Sequence, residues 1–310
     1  MLKLKRPVGL FLCGGGALGS WQSGALSRLA EAGLEADAVA GFSVGVLNGA
    51  AYCFGRTDEL EDIWAGMRPE MILKPRPSYR RMPLDLHSGM SAGGPLARAG
   101  QRMQDQLAKF SLFSAEPLYA LVGSWLGGRD LPFARKTVFY VISHCVERRL
   151  PQIFRFDGKA GGSKIAFNDA LISSCAIPSV FPPVTWFDEG KKRHLVDGGV
   201  IGLATINLNV LEGCRTVIML SNSREEEINF KGTGWMSFFE NKARRMLAVH
   251  SQKIYESRVL IRSSPEVHLL KPQEDLGMGI LELQGAKCRR AFEVGEKAAM
   301  DFIAGLESRG

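Results

Sequence analysis

A chain of 310 residues, 45% hydrophobic and 23% charged, is long enough to bury a substantial core and has the composition of an ordinary globular protein. Thirty-nine Lys and Arg against 32 Asp and Glu give a net charge of +7, which favours anionic partners. Basic residues are not interleaved with aromatics and no binding module is evident, so nucleic acid is not an expected partner, whereas a membrane surface stays open.

In chain order, KLKR followed by PVGLFLCGGGALG has the outline of an export signal, but three consecutive glycines suit a loop, and Leu12 before Cys13 is too large for a lipoprotein cleavage site. VGLFLC, residues 8 to 13, reads as a buried strand ending in glycines. LGSWQSGALSRLAEAGL then shows helical periodicity with Gly33 as its stop. AVAGFS is a second strand, and VGVLNGAAYCF behind it a second helix. Two strand-turn-helix units in succession predict a parallel α/β sheet whose first two strands deliver their turns to one edge.

From Arg68 to Pro95 prolines alternate with Lys74, Arg76, Arg80 and Arg81, which reads as a basic loop or lid. LARAGQRMQDQLAKF follows as a helix, KTVFYVISHCV and LPQIFRFDG as strands, and IAFNDALISSCA as a helix stopped by Ile177-Pro178. RHLVDGG, CRTVIMLSN and PEVHLLKP are further strands, with long helices over residues 237–261 and 283–306. No run of about 18 apolar residues occurs, so no segment is expected to span a bilayer. Cys13, Cys53, Cys145, Cys175, Cys214 and Cys288 show neither C-x-x-C nor zinc spacing and read as reduced thiols of a cytoplasmic protein.

The chemistry concentrates at three places. Gly14, Gly16 and Gly19 satisfy G-x-G-x-x-G, which fits a dinucleotide-binding turn or an oxyanion hole equally well. The dinucleotide reading needs an acid at the carboxyl end of the second strand to hold the ribose. Asp37 stands at the beginning of that strand instead, and its end carries Gly41-Phe-Ser43-Val-Gly45, the G-x-S-x-G of a nucleophile elbow. The competing structural reading makes Ser43 a helix N-cap. The five histidines lie in undistinguished settings. LVDGG instead delivers Asp197 to a strand end followed by Gly198 and Gly199, where an acid could reach Ser43 directly.

At these positions the sequence resembles the patatin-like phospholipase family, and DALISSCAIPSVFPPV, residues 169 to 184, resembles that family's approach to its aspartate. The likeness covers residues 7 to 220. It implies one α/β domain over residues 1–310, a three-layer sandwich around a mostly parallel sheet, with residues 221–310 as a helix-strand-helix tail. It further implies a Ser43 nucleophile, an Asp197 base, and an oxyanion hole from Gly14, Gly15, Gly16 and Gly19, with no metal and no cofactor. The implied substrate is a fatty acyl ester of a phospholipid or related lipid. The basic segment and Lys242, Arg244, Arg245 and Lys253 are then candidate contacts for anionic headgroups. The chain departs from the family at Leu18, where a basic residue is common, and at VIGLATINLNV, where Asn-x-Pro is usual after the aspartate. A nicotinamide-dependent oxidoreductase and a catalytically idle lipid-binding protein of the same fold are the alternatives.

Overall fold

The computed structural model describes residues 2–76, 111–126, 133–158, 164–199, 206–224 and 235–308, with backbone alone at 235–239 and 242. Strand β1 (Val8–Leu12) leads through a glycine turn into helix α1 (Gly19–Glu31). Strand β2 (Ala38–Gly41) leads through Phe42 and Ser43 into α2 (Val44–Cys53). β1 and β2 pair in parallel, and both run through apolar residues because both faces of the sheet are covered.

Two short helices absent from the sequence-based expectation follow, α3 (Leu60–Ala65) and α4 (Glu116–Leu126). Between them, two-residue strands β3 (Lys74–Pro75) and β4 (Phe113–Ser114) pair antiparallel. Two cations of the expected lid are engaged here. Lys74 bridges Glu116 at 3.0 Å, and the Arg76 guanidinium donates to the Ser111 hydroxyl at 2.6 Å. The rest of that segment, Arg80 and Arg81 included, and the helix expected over 96–110 lie outside the described residues.

β5 (Val138–Cys145) and β6 (Leu150–Phe156) form an antiparallel hairpin, α5 (Phe167–Cys175) follows, and β7 (Val184–Asp188) and β8 (Lys191–Asp197) form a second hairpin. β7 was not anticipated: VTWFD follows two prolines and is only five residues long. β9 (Thr216–Leu220), α6 (Trp235–Glu256), β10 (Glu266–Leu270) and α7 (Gly285–Glu307) complete the described chain. The sheet order is β10-β9-β1-β2-β5-β8-β7, with β6 also on β5. β10 through β5 are parallel, so the expected mostly parallel sheet is present.

Alternation along β1 shows the layers. Leu10 and Leu12 belong to a core shared with α1, α2, α5 and α7, whereas Phe11 belongs to the opposite core with Ile254 of α6. All six cysteines are buried free thiols. Asp37 has a structural task at the start of β2: its carboxylate accepts the Val8 N–H at 2.7 Å and pairs with Arg6 at 2.7 Å.

α1 and α7 cross at two glycines. A Cβ on Gly295 would lie 1.9 Å from the Trp21 carbonyl oxygen, and one on Gly24 would lie 2.0 Å from that of Phe292. Gly295→Ala is therefore expected to destabilise the fold by about 1–3 kcal/mol through overpacking. Gly305→Ala, on the same helix with no neighbour within 4 Å, should gain up to about 1 kcal/mol of helix propensity. Urea unfolding midpoints of the two variants measure the contrast.

Candidate active site

β1 lies where the sheet's winding reverses, with β2 on one side and β9 on the other, so the turns after β1 and β2 open side by side at the carboxyl edge. A third strand end is brought there by β5. β6 pairs with β5 from Phe139 to Cys145; β2 pairs with its first half, Gly41 opposite Val141, and β8 with its last residues, Asp197 opposite Ser143. A strand has two hydrogen-bonding edges, so β2 and β8 share one. Asp197 thus arrives two β5 residues beyond Gly41, level with the turn that holds Ser43.

Ser43 has φ 54° and ψ −138°, a left-handed conformation that costs a non-glycine residue about 1–3 kcal/mol and must be held from outside. Gly41 and Gly45 allow the tight turn, since a Cβ on them would lie 2.9 and 2.2 Å from the Leu12 carbonyl oxygen. The Ser43 N–H donates to the carbonyl and the hydroxyl of Ser174, each at 3.0 Å. The Ser174 hydroxyl in turn donates to the Ile142 carbonyl at 2.6 Å, and the Asp197 N–H donates to the Ala176 carbonyl at 2.9 Å. The end of α5 therefore fastens both strand turns, which is what the segment from Asp169 onward does in the fold.

The Ser43 side chain makes no cap bond to α2, against the N-cap reading; its hydroxyl instead lies close enough to Asp197 to favour the charged carboxylate. Asp197 is 5% exposed. Burial raises its carboxyl to about 6, against the lowering pull of the Ser43 hydroxyl and of the Gly199 N–H, which donates to Oδ1 at 2.6 Å. Gly198 and Gly199 admit this turn: side chains there would meet the Ile142 carbonyl at 2.4 Å and the Phe42 ring at 2.9 Å.

The first glycine turn packs directly on this pair, and a Cβ on Gly14 would lie 2.8 Å from that of Ser43. Gly16 has φ 55°, and a Cβ on it would lie 2.3 Å from the Ile280 carbonyl oxygen. The N–H groups of Gly14, Gly15 and Gly16 have no acceptor among the described residues. Two neighbouring amides are occupied: Ala17 donates to Ile280 at 2.7 Å, and Gly19 donates back onto the turn at Gly16. Gly19, grouped with the donors in the sequence expectation, instead serves close packing, since a Cβ there would lie 2.5 Å from Val44. Leu18 is fully buried in the core.

Ser43 lines an apolar cavity together with Leu47 of α2, Ile63 and Trp64 of α3, and Leu121, Val122 and Trp125 of α4. Two of the described histidines lie elsewhere. His194 donates or accepts at Glu147, 2.5 Å away, on the opposite face of β8 from Asp197 by strand alternation. His250 stacks on Phe42 at 5.4 Å in the other core layer, where burial lowers its pKa to about 4. Arg244, expected to face lipid headgroups, is 2% exposed and bonded to Glu240 at 3.0 Å. Gln22, Asn48 and Asn222, which sequence reasoning did not single out, are buried beside the glycine turn. Among the described residues, no group of three or more metal-ligating side chains is assembled, and no helix is long and apolar enough to cross a membrane.

The family model described as Patatin-like phospholipase matches residues 10–208, from β1 through Asp197. Among solved structures, VipD from Legionella pneumophila is similar at 12% identity and a TM-score of 0.42, over 97% of this chain and 67% of that one. The ExoU–SpcU complex of the Pseudomonas aeruginosa type III secretion system is similar at 15% identity and a TM-score of 0.34. That match covers 97% of this chain, which spans about half (53%) of the matched chain's length. No curated protein matches the chain.

The raised Asp197 pKa carries a stability cost with a definite sign. An unfolded aspartate titrates near 3.9, so between about pH 4 and pH 6 the folded protein retains a proton that the unfolded chain releases, and stability falls as pH rises. About two pKa units correspond to roughly 3 kcal/mol, present in full above pH 6. Asp197→Asn carries no such charge. It is expected to exceed the wild type in stability by about 2–3 kcal/mol at pH 8, with the difference vanishing near pH 4; urea unfolding at the two pH values measures it.

Proposed function

Because this chain belongs to the patatin-like phospholipase family, we propose that it is a serine acyl hydrolase that cleaves fatty acyl esters of phospholipids or related lipids with Ser43 as nucleophile and Asp197 as base. The observation that carries this reading is the juxtaposition of the Ser43 hydroxyl and the buried Asp197 carboxyl, with Ser43 lining an apolar cavity. A carboxylate near its usual pKa is a weak base toward a hydroxyl; burial to about 6 strengthens Asp197 while leaving it ionised at neutral pH.

The ester carbonyl carbon is attacked by Ser43 Oγ as its proton passes to Asp197. The oxygen that gains charge is received by the unoccupied amides of the Gly14–Gly16 turn, at a typical worth of about 2.7–4 kcal/mol per donor. Collapse of the tetrahedral adduct releases the alcohol or lysolipid, which takes the proton from Asp197 and leaves an acyl ester on Ser43. Water then gives a proton to Asp197 and attacks that ester, and the fatty acid leaves as the proton returns to Ser43. Every proton transfer is assigned to Ser43, Asp197, substrate or water. The acyl chain occupies the cavity between α2, α3 and α4, whose lining is almost wholly apolar. The single domain implied by the sequence, with the lipid approaching from a membrane surface, belongs to the same proposal.

Ser43→Ala is expected to abolish ester hydrolysis and covalent labelling by a fluorophosphonate in a folded protein. Asp197→Asn should lower kcat by about three orders of magnitude or more, in the range of losses seen when a base is removed from a nucleophile pair. His194→Ala should retain most activity, and its inactivation would replace the two-residue mechanism by a triad. In the wild type, kcat/KM should fall with one proton below about pH 6, where Asp197 is neutralised. Val122→Trp should depress hydrolysis of long-chain nitrophenyl esters far more than that of the acetate, because the added ring occupies the cavity.

A further inference from the structure

The carbonyl oxygens of the glycine turn are held from behind by two buried carboxamides. Gln22 of α1 donates from Nε2 to the carbonyls of Cys13, at 3.0 Å, and Leu220, at 3.1 Å. Asn222, two residues beyond β9, donates from Nδ2 to the carbonyls of Cys13, at 3.0 Å, and Gly14, at 3.2 Å. Both residues are at most 1% exposed. Gln22 is itself fixed, since its Oε1 accepts from Asn48 at 2.9 Å, and Asn48 accepts from Ser23 at 2.8 Å. The Asn222 oxygen, by contrast, is buried without a partner among the described residues. Turning that amide over would set Oδ1 against two carbonyl oxygens, so the unpartnered orientation is the less costly one. A Cβ on Gly15 would lie 2.7 Å from the Cβ of Asn222, so the side chain sits directly under the turn.

A trans peptide is planar, with its N–H directed opposite to its C=O. Holding the Cys13 carbonyl therefore directs the Gly14 N–H, and holding the Gly14 carbonyl directs the Gly15 N–H, away from the carboxamides. We propose that Asn222 is a positioning residue for ester hydrolysis, fixing with Gln22 the peptide planes whose amides receive the developing oxyanion. The proposal rests on Ser43 being the nucleophile. It also accounts for a buried oxygen left unsatisfied: the desolvation cost is accepted where it orients a reactive turn.

The test compares Asn222→Ala, Asn222→Asp and Gln22→Met with the wild type on a soluble nitrophenyl ester, with phosphonylation rates and melting temperatures alongside. Expected for the Asn222 variants is a loss of about tenfold to hundredfold in kcat, approaching that of a removed oxyanion donor. KM should be unchanged, phosphonylation should slow in parallel, and the acid limb of the pH profile should stay in place. Gln22→Met should lose less, and the double variant should fall short of the product of the singles because both side chains hold the Cys13 carbonyl. A folded Asn222→Ala enzyme with wild-type kcat, or one changed in KM alone, overturns the proposal; if that variant fails to fold, wild-type kcat in both Asn222→Asp and Gln22→Met does so. Failure of the underlying reading is separate and shows as an active Ser43→Ala.

Discussion

One edge of β5 is divided between two strands of opposite direction, and the site depends on that division. β2 uses the first half and ends; β8 uses the last residues and ends facing it. Their carboxyl ends converge only because the register sets Gly41 opposite Val141 and Asp197 opposite Ser143. A one-residue slip of β8 would turn Asp197 to the other face of the sheet. The Asp197 N–H bond to Ala176 and the Ser43 N–H bonds to Ser174 guard against such a slip from α5, whose last turn spans both strand ends.

Strain and desolvation accumulate around this junction, and each has a visible support. Ser43 is left-handed, Asp197 is a buried acid, and the Asn222 oxygen has no partner among the described residues. Opposing them are a bidentate anchor on Ser174, close backbone crossings permitted by Gly41 and Gly45, and the carboxamide network beneath the glycine turn. Trp64 extends that network toward the cavity, donating from its indole to Ser23 at 2.6 Å. The wall of the apolar cavity and the floor of the glycine turn are thereby parts of one hydrogen-bonded unit.

Much of this was legible in the sequence where the signal is local. Gly41, Ser43 and Gly45 lie within five residues, Asp197 precedes two glycines, and β1, β2 and β9 are apolar runs that only a doubly covered sheet accommodates. Gln22, Asn48 and Asn222 gave no comparable signal, because each is a lone polar residue whose partner lies 9 to 209 positions away. The clue available was position: Asn222 follows β9 at the same sheet edge as the turn after β1. α3 and α4 were missed because six residues are too few to establish a helical period, and eleven that open on Glu116-Pro117 are few for one. Gly19 was assigned an oxyanion role on its motif, whereas its amide is spent on the turn's own backbone. Arg244 looked like a surface cation in a charged run; its partner, Glu240, lies one helical turn earlier and closes over the Ile280 amide at 2.7 Å.

The central claim is that a hydroxyl and a buried carboxyl stand close enough to share one proton inventory. The most direct measurement is the titration of the Asp197 carboxyl itself, followed by isotope-edited infrared difference spectroscopy in the wild type and in Ser43→Ala. With the hydroxyl present, Asp197 should titrate near 6. Without it, burial acts with one hydrogen bond fewer to the charged form, and the midpoint should move upward. A midpoint near the ordinary aspartate value, or one indifferent to the loss of Ser43, would contradict the account.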